Sequence, residues 1–132
     1  MRKQKLLDKF GSMYIDFVHD NVLTQMFNIL NNTTKANKIL AQKINKIPNE
    51  WKEIIEVMVK ETLDKCLHYN LFMLQKYEEE MQLIMHDEDY HEHSLAKISD
   101  GLCGELYGEE GWIKKYSKYP TWIENLKETT ED

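Results

Sequence analysis

The sequence predicts a mainly α-helical fold, an irregular bundle of three or four helices that makes one domain of residues 1–132. Three observations carry this expectation. No glycine lies between Gly11 and Gly101, and Pro48 is the only proline in that interval, so residues that end helices are scarce there. Apolar residues recur through it at steps of three and four, the spacing of a helical face. Apolar residues form 42% of the 132 and charged residues 30%, a balance suited to one core and unlike that of a disordered chain.

The first helical segment runs from about Lys3 to Leu30. Leu6, Phe10, Met13, Tyr14 and Phe17 mark its first face, whereas Val22, Met26, Ile29 and Leu30 lie nearly opposite at ~100° per residue. A straight helix does not reverse its face, so a break or kink is expected near His19-Asp20-Asn21. A shorter second helix, capped by Thr33 or Thr34, buries Ala36, Ile39, Leu40 and Ile44 and stops before Pro48, which disfavours an α conformation at Ile47. The third helix starts at Pro48 or Asn49. Its expected buried stripe is Ile55, Val59, Leu63, Cys66, Asn70, Met73 and Tyr77, widened by Trp51, Ile54 and Met58. Lys76 suits the negative end of a helix dipole and Glu78, Glu79 and Glu80 do not, so the helix should end near Tyr77 after roughly 28 residues, ~42 Å.

Residues 81–98 read as a small β-hairpin, with MQLIMHDE pairing back onto LAKIS and HDEDYHEH at the bend; periodicity alone leaves a helical turn open there. In the glycine-rich tail, Leu102, Leu106 and Tyr107 suggest two helical turns capped by Ser99 or Asp100. Trp112, Ile113, Tyr116 and Tyr119 follow at near-helical spacing. Thr121 and Glu124 make a capping box before a last short helix.

A net charge of −6 argues against a generic nucleic-acid binder, which needs a basic face to displace counterions. No run approaches the ~20 apolar residues that span a bilayer, and MRKQKLLDKF lacks the apolar stretch of a signal peptide. Cys66 and Cys103 have no metal-type spacing and are expected as reduced thiols in a cytoplasm.

Four groups could carry function. HDEDYHEH offers His86, His91 and His93 as zinc ligands, with His91 and His93 on one side of a strand. The spacing matches no established motif, and seven acidic residues without Lys or Arg over 78–92 also describe a solvated acidic turn. Cys103, between Gly101 and Gly104, could be a nucleophile if the fold brings one of the five histidines close, or a small buried hydrophobe. Lys35, Lys38, Lys43, Lys46 and Lys52 form a basic helical side without arginine or interleaved aromatics, which reads as a solvated face, one that could lie near the acidic stretch. Trp112, Tyr116, Tyr119 and Trp122 either staple the tail to the bundle or anchor a partner. Trp112 is expected in the core, and Tyr119 and Trp122 remain open. His68 and Asn70 read as satisfied polar groups near the core.

The run ISDGLCGELYGEEGWIKKYSKY, after LHYNLFMLQKYEEE, resembles a group of small bacterial proteins without an assigned reaction. They share S-D-G-L-x-G-E-L-Y, G-W and K-Y-S-K-Y elements, here Ser99 to Leu102, Gly104 to Tyr107, Gly111, Trp112, Lys115 and Ser117 to Tyr119. The resemblance covers the chain from Leu67 on and implies a bacterial cytoplasmic protein. The format, small and acidic, is that of immunity or antitoxin proteins. The expected function is therefore a non-enzymatic module that inhibits a partner, such as a basic toxin, through Glu78, Glu79, Glu80, Asp87, Glu88 and Asp89, with Tyr119 and Trp122 as anchors. The competing readings are a metal-dependent or thiol enzyme using residues 86–93 or Cys103, and a helical homo-oligomer.

Overall fold

The computed structural model describes residues 2–31 and 38–119. Its elements are α1 (Arg2–Met13), a π-helical segment (Tyr14–His19), α2 (Asp20–Leu30), α3 (Lys38–Asn45), α4 (Asn49–Lys76), β1 (Ile84–His86), β2 (Glu92–Ser94), α5 (Leu95–Ile98), a 3₁₀ segment (Leu102–Leu106) and α6 (Trp112–Tyr116). No helix among the described residues is long and apolar enough to cross a membrane. The mainly helical expectation holds, and the small antiparallel hairpin accompanies it.

The predicted break near His19 is instead a change of winding. The chain stays helical from Arg2 to Leu30, and the Asp20 N–H closes a wide turn onto the Ile15 carbonyl, an i→i+5 bond. Its effect is visible in which residues are buried: Leu7, Gly11, Ile15, His19 and Leu23, every fourth position. In a regular α-helix each four-residue step would carry the side chain about 40° round the axis. The wide turn winds back part of that drift and keeps the line facing inward. Met13 and Phe17, expected in the core, fall outside it, and Phe17 is 74% exposed.

The third predicted helix, α4, has the expected 28 residues but buries a different face. Lys60, Asp64, Leu67 and Leu71 point inward, while Trp51, Ile54, Met58, Cys66, Asn70, Met73 and Tyr77 of the predicted stripe are exposed. None of residues 49–59 is buried. The pattern misleads because two inward positions carry charge, which hydrophobic spacing assigns to solvent. On α3 only Ile44 is buried; Ile39 and Leu40 are exposed, and the expected caps Thr33 and Thr34 and the expected core residue Ala36 lie outside the described residues.

The core joins α1 and the π segment to the C-terminal half of α4 and to the tail. Leu7, Tyr14, Ile15, Leu67, Leu71, Leu95, Ala96, Leu102, Leu106 and Trp112 form one cluster. LAKI is not the second hairpin strand: Glu92–Ser94 pairs with Ile84–His86, and Leu95 and Ala96 enter the core as a helical turn. The two expected turns after Ser99 are a 3₁₀ segment with Leu102 and Leu106 inward and Tyr107 exposed. Trp112 is 1% exposed and lies on Gly11, with Phe10 packed beside it at 5.7 Å between centroids.

Gly11 is where packing leaves no room. A Cβ there would sit 2.5 Å from three atoms of the Trp112 indole. Gly11→Ala is expected to lower unfolding free energy by about 1–3 kcal/mol, the cost of overpacking a filled site. Urea denaturation measures it, and an unchanged midpoint would show that the indole shifts freely.

Candidate functional site

Two constellations concentrate the polar chemistry. The first is interior. The π turn directs His19 inward, fully buried, with Nδ1 2.7 Å from Asp20 Oδ1 and Nε2 2.7 Å from Asp64 Oδ1. Lys60, one turn before Asp64 on α4, donates from Nζ to Asp64 Oδ2 at 2.8 Å. Asp20 also accepts from Ser117 Oγ at 2.7 Å and from the Lys118 N–H at 2.9 Å. With both carboxylates ionised they can only accept, and the ring then meets both contacts by donating from both nitrogens, as an imidazolium does. His19 and Lys60 then balance Asp20 and Asp64. Burial would raise the Asp64 carboxyl, but hydrogen bonds and charge from His19 and Lys60 outweigh it and hold the group below its ordinary value.

This clamp ties together the π–α2 junction, α4 and the tail after α6. A histidine with both nitrogens committed has no lone pair with which to accept a proton, so the arrangement holds structure together and does not resemble a poised general base. Sequence reading missed it. Its traces were the His19-Asp20 dipeptide at the expected kink and the Lys60/Asp64 pair at i, i+4.

The second constellation is the hairpin. Its register sets Met85 opposite His93 and His86 opposite Glu92. Successive strand residues face opposite ways, so His86 and His93 lie on different faces, and the three-histidine zinc set is not assembled. The ligand atoms that do gather, within 4.8 Å of one another, belong to Asp87, Asp89 and His91. The loop's own hydrogen bonds account for this gathering. Asp87 Oδ1 accepts the Asp89 and His91 N–H groups, at 2.9 and 3.0 Å, and Oδ2 lies 2.9 Å from His93 Nε2. The His93 contact first, then those N–H groups and the His91 charge, hold the Asp87 carboxyl far below the usual carboxylate range. Tyr90 stands at the bend with φ +65° and is 85% exposed. A left-handed tyrosine is costly, and the bonds to Asp87 fix the turn around it.

The other predicted groups disperse. Glu79, Glu80, Glu88 and Asp89 are exposed, and Glu78 is half-buried. Lys5 and Lys9 of α1, rather than the α3 lysines, share a cleft of about 290 Å³ with His86, Asp87 and Glu88. Lys38, Lys43 and Lys46 are exposed; Lys35 lies outside the described residues. Cys103 is half-buried, its N–H donating to Gln75 Oε1 at 3.3 Å, and among the described residues no imidazole hydrogen-bonds to its thiol. His68 Nδ1 lies 3.1 Å from the Tyr107 hydroxyl, and Asn70 donates to the Tyr14 hydroxyl at 2.8 Å. Tyr119 is turned onto α2, its hydroxyl 2.8 Å from Thr24 Oγ1 and its ring edge-on to Phe27. Trp122, Thr121 and Glu124 lie outside the described residues.

Removing one member of the clamp leaves the others buried and unbalanced. Asp64→Ala is expected to cost about 3–5 kcal/mol, the usual penalty for breaking a buried pair from one side. The lowered Asp64 carboxyl also fixes a sign. Its contribution is complete above the unfolded value of about 4 and is lost as pH falls through the lower folded value. In acid titrations followed by circular dichroism, wild type should lose stability more steeply below pH ~4 than Asp64→Asn. Parallel curves would count against the clamp.

No protein-family model, curated protein or solved structure matches this chain.

Proposed function

We propose that the chain is a non-enzymatic protein-binding module that offers its acidic end, residues 78–92, to a basic surface of a partner protein. The observation that carries this reading is the hairpin bend. One carboxylate, Asp87, is committed to holding the loop, and the loop then presents Glu88 and Tyr90 outward in a fixed conformation. A rigid exposed tyrosine within an acidic rim suits an interface anchor, since its large ring loses little entropy on binding. Acidic residues around it would speed encounter with a basic partner and discriminate against acidic ones. This is the format of a small acidic inhibitor of the immunity or antitoxin kind, with a basic toxin as the fitting partner. A reducing, cytoplasmic setting accords with the two free cysteines, Cys66 being exposed. Enzyme readings lose support because His19 is committed at both nitrogens and the hairpin register parts His86 from His93.

The test compares capture from cell lysate at low and high salt by wild type, by E79Q/E80Q/E88Q/E92Q and by Tyr90→Ala. Wild type should retain a basic protein. The quadruple variant should associate about tenfold or more slowly at low salt, the range expected when steering charges are removed. Tyr90→Ala should release the same protein faster. Identical retention by all three chains would dismiss the acidic end as the binding surface.

A further inference from the structure

The face of α4 turned away from the core carries its own pattern. At ~100° per residue, Trp51, Ile54, Met58, Lys65, Tyr69, Phe72 and Lys76 fall within one ~60° sector. Every one is exposed, with Trp51 at 62%, Met58 at 63% and Tyr69 at 65%. Trp51, Met58, Lys65 and Phe72 recur every seventh residue, the repeat of a helix that packs along another helix. Beside this ridge, α2 and α4 leave an apolar groove of about 520 Å³ lined by Val22, Met26, Ile55, Val59, Leu63 and Cys66. An isologous contact needs a patch complementary to itself, and a ridge adjoining a groove on the same patch meets that condition.

We infer that this face of α4 pairs with the same face of a second copy of the chain, the two helices antiparallel about a two-fold axis at Leu63. The charges select both the occupant and the direction. Lys65 sits in the middle of the apolar sector, and parallel pairing would set it against its own copy. Antiparallel pairing centred on Leu63 brings Glu61 of one chain to Lys65 of the other. The same register sets Glu50 against Lys76 and Ile54 against Phe72, and brings Tyr69 of the second copy to the mouth of the groove. Glu50, Glu61, Lys65 and Lys76 are all exposed. One register thus satisfies two charge pairs and one apolar pair, each counted twice by symmetry. The contact is independent of the acidic-end reading, which concerns residues 78–92.

Sedimentation equilibrium of the full chain over a range of concentrations should show a monomer–dimer equilibrium. Glu61→Lys and Lys65→Glu should each weaken dimerisation at least tenfold, and E61K/K65E should restore it, because the pair is exchanged in both copies. Glu61 and Lys65 also stand at i, i+4 on one helix. Each variant is therefore compared at a circular dichroism spectrum and urea midpoint equal to wild type, which separates the interface from an effect on the fold. With the native cysteines replaced by serine, I54C/F72C should form cross-linked dimers on oxidation. Within one chain these positions are ~27 Å apart along the helix and cannot join. A monomer at all concentrations, a dimer indifferent to Lys65→Glu, or oxidation joining I54C to itself in the single variant would each overturn the proposal.

Discussion

His19, held between Asp20 and Asp64, is the contact on which the arrangement of the helices depends. Hydrophobic burial is non-directional and tolerates a helix turned by a fraction of a turn. A buried imidazole ring with a carboxylate oxygen 2.7 Å from each nitrogen does not tolerate such a turn. Its neighbours extend the requirement: Lys60 must lie one turn before Asp64, and Ser117 and Lys118 must reach Asp20 from the tail. Three parts of the chain, 45 and 97 residues apart in sequence, are thereby given one mutual orientation. Pairing Lys60 with Asp64 and supplying hydrogen bonds to the oxygens of Asp20 and Asp64 offsets part of the desolvation cost of burying ions.

The π turn follows from that requirement. With regular α winding, a line through Leu7, Gly11 and Ile15 would have drifted too far round the axis for position 19 to meet α4. One wide turn returns His19 to the line and leaves Asp20 beside it, within reach of the tail. Upstream, the same line brings Gly11 under Trp112, so the indole and the clamp pin the tail at two points along one helix. Tyr119 adds a third on α2 through Thr24 and Phe27.

Much of this architecture was legible in the sequence. The long helix from Asn49 to Lys76 and a disturbance near His19 follow from punctuation, dipole sense and periodicity. The hairpin falls in the expected stretch, but LAKI, expected as its second strand, is helical. The expected burial of Trp112 rests on its large apolar area. The face of α4 did not follow. Its apolar residues are spread round the helix, and Lys60 and Asp64 count as surface residues until their partners are known; those partners are 45 residues away. Asp87 was similarly opaque. Within HDEDYHEH it is one of four carboxylates, and only the folded loop shows that it accepts two backbone N–H groups while Tyr90 is turned outward. The three histidines looked like a set because sequence proximity ignores the alternation of a strand.

What the clamp does not select, it leaves outside. A helix whose apolar residues occupied only one sector would bury that sector and have nothing left. On α4, charge chooses the sector containing Lys60, Asp64, Leu67 and Leu71, and Leu is the only apolar residue type wholly enclosed there. Trp51, Ile54, Met58, Tyr69 and Phe72 are displaced onto the opposite side, where exposing large side chains is unfavourable unless another surface covers them. Burying two ionic groups on one face and leaving five large apolar ones on the other makes little sense for a helix that serves only its own core. The proposed pairing of two copies would cover that second face. The exposed face is in that respect a consequence of the buried charges.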